Sequence, residues 1–340
     1  KIPNHKKVII VATMTASPAW LVSRSLVMAT FYISVMLTIH VRAASDESNS
    51  TSSATAELSF RERLQQGPTG LSHWDILLFG GIIYMGFELM SYIALHTGDW
   101  VQAKRVPVRG KHLDELSSLD LFFIHLNKMT AFPFAYAFLR YAYFAAPRVA
   151  WRLNEFTFCN TVLAIPLLYI TYDFFYVILH GALHIKGIYG LIHKHHHHQK
   201  APSRGNVDAV NVHPIEYILG EFNHLLALHI VCTYFVQVHV VTSLVFLVVG
   251  GFLASLNHTR HDLVLLGGMV YDSKAHDVHH RIPQSNYGQY TMFWDHVIGS
   301  YRAYNPNDRV NPSAQLNLKT GKSMAYHEAQ ASSAAIKKVE

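Results

Sequence analysis

Apolar stretches near residues 21–41, 75–96, 119–145, 158–180, 218–236 and 239–257 set the strongest limit on what this chain can become. Most approach the roughly 20 residues that a helix needs to cross a bilayer. Half of the 340 residues are hydrophobic and only 15% are charged, a balance unusual for a soluble domain. The expected fold class is an all-α integral membrane protein, a multi-span helical bundle. The net charge of +6 could suggest nucleic acid, but the basic residues are scattered between the apolar stretches, as juxtamembrane charge is. No nucleic-acid partner is expected. Cys159 and Cys232 lie inside apolar runs and make neither a disulfide framework nor a thiolate metal site.

Three histidine clusters stand at or just beyond the ends of these stretches: His180 with His184, His193 with His196 and His197, and His276 with His279 and His280. With 24 histidines in 340 positions, an H-x-x-H-H arises by chance in roughly one chain in ten, and this chain has two. Neutral imidazole is a ligand for first-row metals, and eight such groups exceed what one ion needs. His180 and His184 are four apart, so both rings leave one face of a helix. Adjacent histidines point apart, so His196 and His197, and His279 and His280, can serve different ions. The spacing predicts a two-metal site for oxygen chemistry. Asp173, seven residues before His180, shares its face and is expected to accept the distal N–H of a ligating histidine; a snorkelling or interhelical pair is its plainer reading. His125, His224, His229 and His239, inside apolar stretches, read as hydrogen-bonded helix residues, and a run such as His195 to His198 also occurs as a solvated tract.

All three clusters must share one compartment to build one site. Counting crossings backward puts 100–118 on the same side, and Lys104, Arg105, Arg109 and Lys111 there favour the cytosol. The expected result is a cytosolic, histidine-rich metal-binding cap. The loop 42–73 falls in the lumen, where Asn49-Ser50-Thr51 is a glycosylation acceptor. Residues 44–56 read as a flexible loop, and the tail from about 305 reads similarly. Lys337 and Lys338 resemble a dilysine retrieval signal of the endoplasmic reticulum. The organisation read from the sequence is a membrane anchor or targeting segment with a flexible loop at 1–70, additional transmembrane helices at 71–157, a catalytic domain at 158–304 and a flexible tail at 305–340.

The catalytic segment resembles the fatty acid hydroxylase and sterol desaturase superfamily of membrane di-iron enzymes. Asp173, Tyr176, His180 and His184 match its first block, and His193-Lys194-His195-His196-His197 its second. His213-Pro214-Ile215-Glu216 and Asn257-His258 match two shorter elements. His276 to His280 match the third block, and Asn286-Tyr287-Gly288 and Trp294-Asp295 match two elements C-terminal to it. The resemblance covers about 158–304.

The resemblance implies a four-helix core beneath the metal cap and adds His213 and His258 to the ligands. Spacing alone makes His213 a turn residue beside Pro214 and His258 a helix-end residue. Asp173, Tyr176, Asn257 and Asp277 are expected to support the ligands rather than bind metal, and His195, His198 and His261 fall off the ligand positions. The implied cofactors are two iron ions with O2 as cosubstrate, and the implied reaction is hydroxylation, oxidation or desaturation of a lipid C–H bond in a sterol or a fatty acyl or sphingolipid chain. The sequence carries no nicotinamide, flavin or fused haem fingerprint, so an NAD(P)H-dependent reductase and a b-type cytochrome are the expected electron donors. The expected location is the endoplasmic reticulum membrane. A metal transporter and a non-catalytic lipid- or metal-binding relative are the competing readings. The first would need ligands buried at bilayer mid-depth.

Overall fold

The computed structural model describes residues 73–265, 268–317 and 319–336. The 21–41 stretch, the 44–56 loop, Asn49, Lys337 and Lys338 lie outside the described residues. Five long helices carry the fold: α1 (His73–Trp100), α2 (Ser118–Phe144), α3 (Ala164–Leu183), α4 (Pro214–Ile230) and α5 (Val240–Leu256). Helix α3 packs on α4 and α5, α4 on α2, and α1 on α2 and α5. Three shorter helices come after them, α6 (Ser273–Arg281), α7 (Phe293–Ile298) and α8 (Met324–Ile336).

Local chemistry sets where the helices begin. Ser117 and Asp120 form a reciprocal capping box at the start of α2. Pro214 occupies the first turn of α4, where its missing N–H costs nothing. Asp272 caps α6 through the N–H of Lys274 at 2.9 Å.

Between the helices lies a core of Phe138 and Tyr141 from α2, Leu168 and Tyr172 from α3, Leu225 and Leu228 from α4, and Phe246 from α5. Burial of such side chains contributes about 25 cal/mol per Å² of apolar surface removed from water. The outer faces are also apolar: Leu77, Leu78, Met85 and Leu89 of α1 and Val245 and Val248 of α5 are exposed.

Two helical spans among the described residues, Cys159–Leu183 and Pro214–Phe235, are long and apolar enough to cross a membrane, by length and composition. The stretch expected at 75–96 forms α1, that at 119–145 forms α2, and that at 239–257 forms α5, an apolar helix of 17 residues. Glu88 of α1 and Lys128 of α2 form an ion pair between their helices. The protein is mostly helical, with two small additions: β1 (Val149–Ala150) pairs in parallel with β2 (Val238–His239), and β3 (Val264–Leu265) pairs antiparallel with β4 (Tyr271–Asp272).

The tail expected to be flexible from 305 is instead built onto the loop before α2. Asn311 N–H donates to Val108 O at 2.8 Å, and Ser323 N–H and Oγ–H donate to Asp114 at 2.5 and 2.7 Å. Its polar composition hid these pairings, because they are made by backbone and short side chains rather than by large apolar groups.

Candidate metal centre

Nine histidines converge above the bundle in two adjoining groups. His180, His184, His193, His197 and His279 form one, and His196, His258, His276 and His280 form the other; within each, the ligand atoms lie within 4.8 Å of one another. Spacing along helix and turn accounts for the sorting. The pairs four apart, His180 with His184, His193 with His197 and His276 with His280, each stay in one group, while His196 and His279 reach across to the other. The groups share a wall, with the His197 and His280 rings 5.0 Å apart and the His276 and His279 rings 5.8 Å apart.

Several elements deliver these rings. His180 lies in the last turn of α3 and His184 caps it. His196 and His197 sit in a short 3-10 turn, and His276, His279 and His280 lie on α6. His258 follows α5, where its Nδ1–H donates to Ala254 O at 2.8 Å.

The hydrogen bonds decide which nitrogens are free. His180 Nδ1–H donates to Tyr287 O at 2.8 Å and His279 Nδ1–H to Ser285 O at 2.7 Å; a carbonyl can only accept, so Nε2 of each ring carries a bare lone pair. His193 Nδ1–H donates to the Glu216 carboxyl at 2.8 Å and frees its Nε2 likewise. The bare Nε2 atoms of His180 and His193 then face each other at 3.0 Å. Two lone pairs at that distance repel unless a cation lies between them. A cation held jointly by the two imidazoles would relieve that repulsion.

The same 3.0–3.1 Å spacing joins His193 to His197, His197 to His279, His258 to His276 and His276 to His280. Burial holds His196, His197, His258, His276, His279 and His280 below the usual imidazole range, and neighbouring imidazoles add to this at all but His258. His184 is pushed down to about 3 by burial and then by His193 and Lys200. A metal requires the neutral form that this environment favours. The donor set fits a pair of imidazole-preferring ions.

Several sequence-predicted residues sit elsewhere. His213 lies outside both groups: its Nδ1 accepts the N–H of Ile215 at 3.3 Å as the cap of α4, and its ring packs on Phe123. Asp173 touches no ligand; its carboxylate accepts the N–H groups of Gln289, Tyr290 and Thr291 at 3.1, 3.1 and 2.6 Å, anchoring the loop that carries Tyr287. Asp277 pairs with Arg260 rather than with an imidazole. Asn257 donates to Gln289 O at 3.1 Å, and the Tyr176 ring lies 5.2 Å from that of His180. His195 bonds Asn211, His198 is exposed and His261 pairs with Asp99, so none joins a group. His224, His229 and His239 are hydrogen-bonded to Tyr290, Tyr141 and Arg152 O. Sequence reasoning missed Glu216 as a partner of a ligand. Its signal was an ionisable group in the first turn of an apolar helix.

This geometry defines a helical protein with two adjoining histidine groups at its helix ends, each able to hold a metal ion. Residues 165–300 match the model of the fatty acid hydroxylase family, the same segment whose histidine blocks resemble the fatty acid hydroxylase and sterol desaturase superfamily. It is 28% identical over 180 residues to a Delta(7)-sterol 5(6)-desaturase of Eremothecium gossypii, covering 49% of this chain and 44% of the relative. A Delta(7)-sterol-C5(6)-desaturase of Nicotiana tabacum is 28% identical over 44% of this chain and 54% of its own length. Methylsterol monooxygenase 1 of Rattus norvegicus is 27% identical over 39% and 45%. The chain thus spans about half the length of the relatives it matches. No solved structure matches.

Proposed function

We propose that the protein is a membrane-bound, iron-dependent oxygenase that hydroxylates, oxidises or desaturates a lipid C–H bond. The observation that carries this reading is the pair of adjoining neutral-imidazole groups set at the ends of apolar helices. His180, His184, His193, His197 and His279 would hold one iron, and His196, His258, His276 and His280 the other. The bound, reduced pair supplies O2 activation and C–H cleavage.

The chain's own residues fix the ligands. Glu216, Tyr287 O, Ser285 O and Ala254 O each hold one imidazole in the tautomer that presents Nε2 inward. The rings of Tyr189 and Tyr287, 5.6 Å from that of His184, help to shield it from water. A lipid substrate suits a centre whose supporting helices expose apolar faces, and the named activities of the relatives favour a sterol over an acyl or sphingolipid chain. Electrons would come from an NAD(P)H-dependent reductase through a b-type cytochrome. The endoplasmic reticulum membrane, with the centre facing the cytosol, suits that supply. Ligands gathered at helix ends rather than at mid-helix disfavour a transporter.

Elemental analysis of purified protein, combined with aerobic, reductant-driven turnover of a sterol and an acyl-lipid panel, tests the reading. Two irons per chain and an oxidised lipid are expected. One metal in active protein, or iron-loaded protein that oxidises none of the lipids, would overturn it.

A further inference from the structure

We propose that the pocket behind α6 is the docking point for an acidic electron-carrier protein, an inference that rests on the oxygenase reading. A cavity of about 320 Å³ lies against the outer side of α6, with Val278, Arg281 and Ile282 on its inner wall and Arg302, Asp308 and Arg309 on its outer wall. The inner wall belongs to the same two turns that carry His276, His279 and His280, and Arg281 directly follows His280. A redox group seated there is separated from the metal ligands by a single helix.

The outer wall is fixed to that helix. Asn286 donates from Nδ2 to Ala275 O at 3.0 Å and to Arg302 O at 2.9 Å, and its Oδ1 accepts Arg302 N–H at 2.7 Å. Charge then selects the partner. Asp308 is bonded to Arg281 at 3.0 Å and lies 3.8 Å from Arg109, so its one carboxylate is already shared between two guanidiniums. Arg302 and Arg309 are exposed and have no carboxylate partner among the described residues. Asp277, 3.6 Å from Arg281, is occupied by Arg260. The pocket is left with uncompensated positive charge in a shape that admits carboxylate side chains. Charge complementarity of this kind raises association rates and makes them depend on salt.

The test uses iron-loaded, full-length protein in nanodiscs and the soluble domain of a b-type cytochrome with an acidic surface. Binding is titrated at low and high salt, which needs no knowledge of the lipid oxidised. The wild type should bind more weakly as salt rises, and Arg302→Glu with Arg309→Glu should weaken low-salt binding roughly tenfold. Lys319→Glu with Lys322→Glu, a basic pair further along the C-terminal tail, should leave binding unchanged. Iron content and single-turnover oxidation driven by dithionite, which needs no docking, should match the wild type in both double variants. Unchanged binding in the arginine variant, or an equal loss in the lysine variant, would overturn the proposal. Failure of wild-type protein to oxidise any lipid under dithionite would instead overturn the oxygenase reading, with docking still judged by the titration.

Discussion

Glu216 and His213 stand three residues apart in one motif and do different work. The Glu216 carboxyl fixes the His193 tautomer from 2.8 Å, whereas His213 caps the helix that carries Glu216. Glu216→Gln keeps the shape but removes the carboxylate, and loss of such a supporting group typically costs about 10–100-fold in metal affinity. Iron retained against a graded chelator series should therefore fall in that range, with the helical circular dichroism unchanged. His213→Ala should lower stability by about 1 kcal/mol through the lost cap and leave metal per chain as in the wild type. Elemental analysis decides: metal lost from His213→Ala would return that residue to the ligand set, and wild-type affinity in Glu216→Gln would remove the tautomer role.

The loop between α6 and α7 is the element on which the centre depends. It donates three backbone N–H groups to Asp173 on α3 and accepts the Nδ1–H of His180 through Tyr287 O. A Cβ at Gly288 would lie 2.3 Å from Thr291 O and 2.9 Å from the Asp295 carboxylate, so the tight turn requires glycine. Gly288→Ala is expected to destabilise the fold by about 1–3 kcal/mol, as overpacking does, and to release metal because His180 loses its acceptor. A thermal melt and metal analysis of the same sample would show this; a wild-type melting temperature would mean that the loop adapts at no cost.

Acid sensitivity belongs to the molecule as a whole. In the metal-free protein His184 titrates near 3 rather than at the ordinary 6.5, so between those values the unfolded chain binds protons that the folded chain refuses. Stability is unaffected by this group above pH 6.5 and falls as pH drops through the window toward about 3. His196, His276, His279 and His280 are shifted in the same direction and should add to the fall. Melting temperatures of metal-free protein, taken from neutrality downward, should decline steadily; a flat profile would contradict the buried neutral state. Orientation in the membrane is a second property at this scale. Tags in 100–118 and 200–212 should be digested on sealed vesicles while Asn49 becomes glycosylated, and protection of the 200–212 tag would reverse the orientation.

Apolar run length was enough to place the five long helices, and histidine spacing to single out His180, His184, His193, His196, His197, His276, His279 and His280, because spacings of three and four are geometry that sequence carries directly. Motif resemblance supplied His258, which no local pattern marks. Neither could settle His213, Asp173 or Glu216. A capping histidine and a ligating histidine read alike along the chain. Whether the Asp173 carboxylate meets an imidazole or a loop backbone more than a hundred residues away depends on how α3 and the loop after α6 pack. The joining of residues 305–317 and 319–336 to the segment before α2 was hidden for the same reason, since its bonds link positions about 200 residues apart. The sequence by itself determined the helical bundle and the chemistry of its ligands. Only the tertiary structure decided which groups hold those ligands in place, because long-range hydrogen bonds between polar groups leave no periodic trace in the chain.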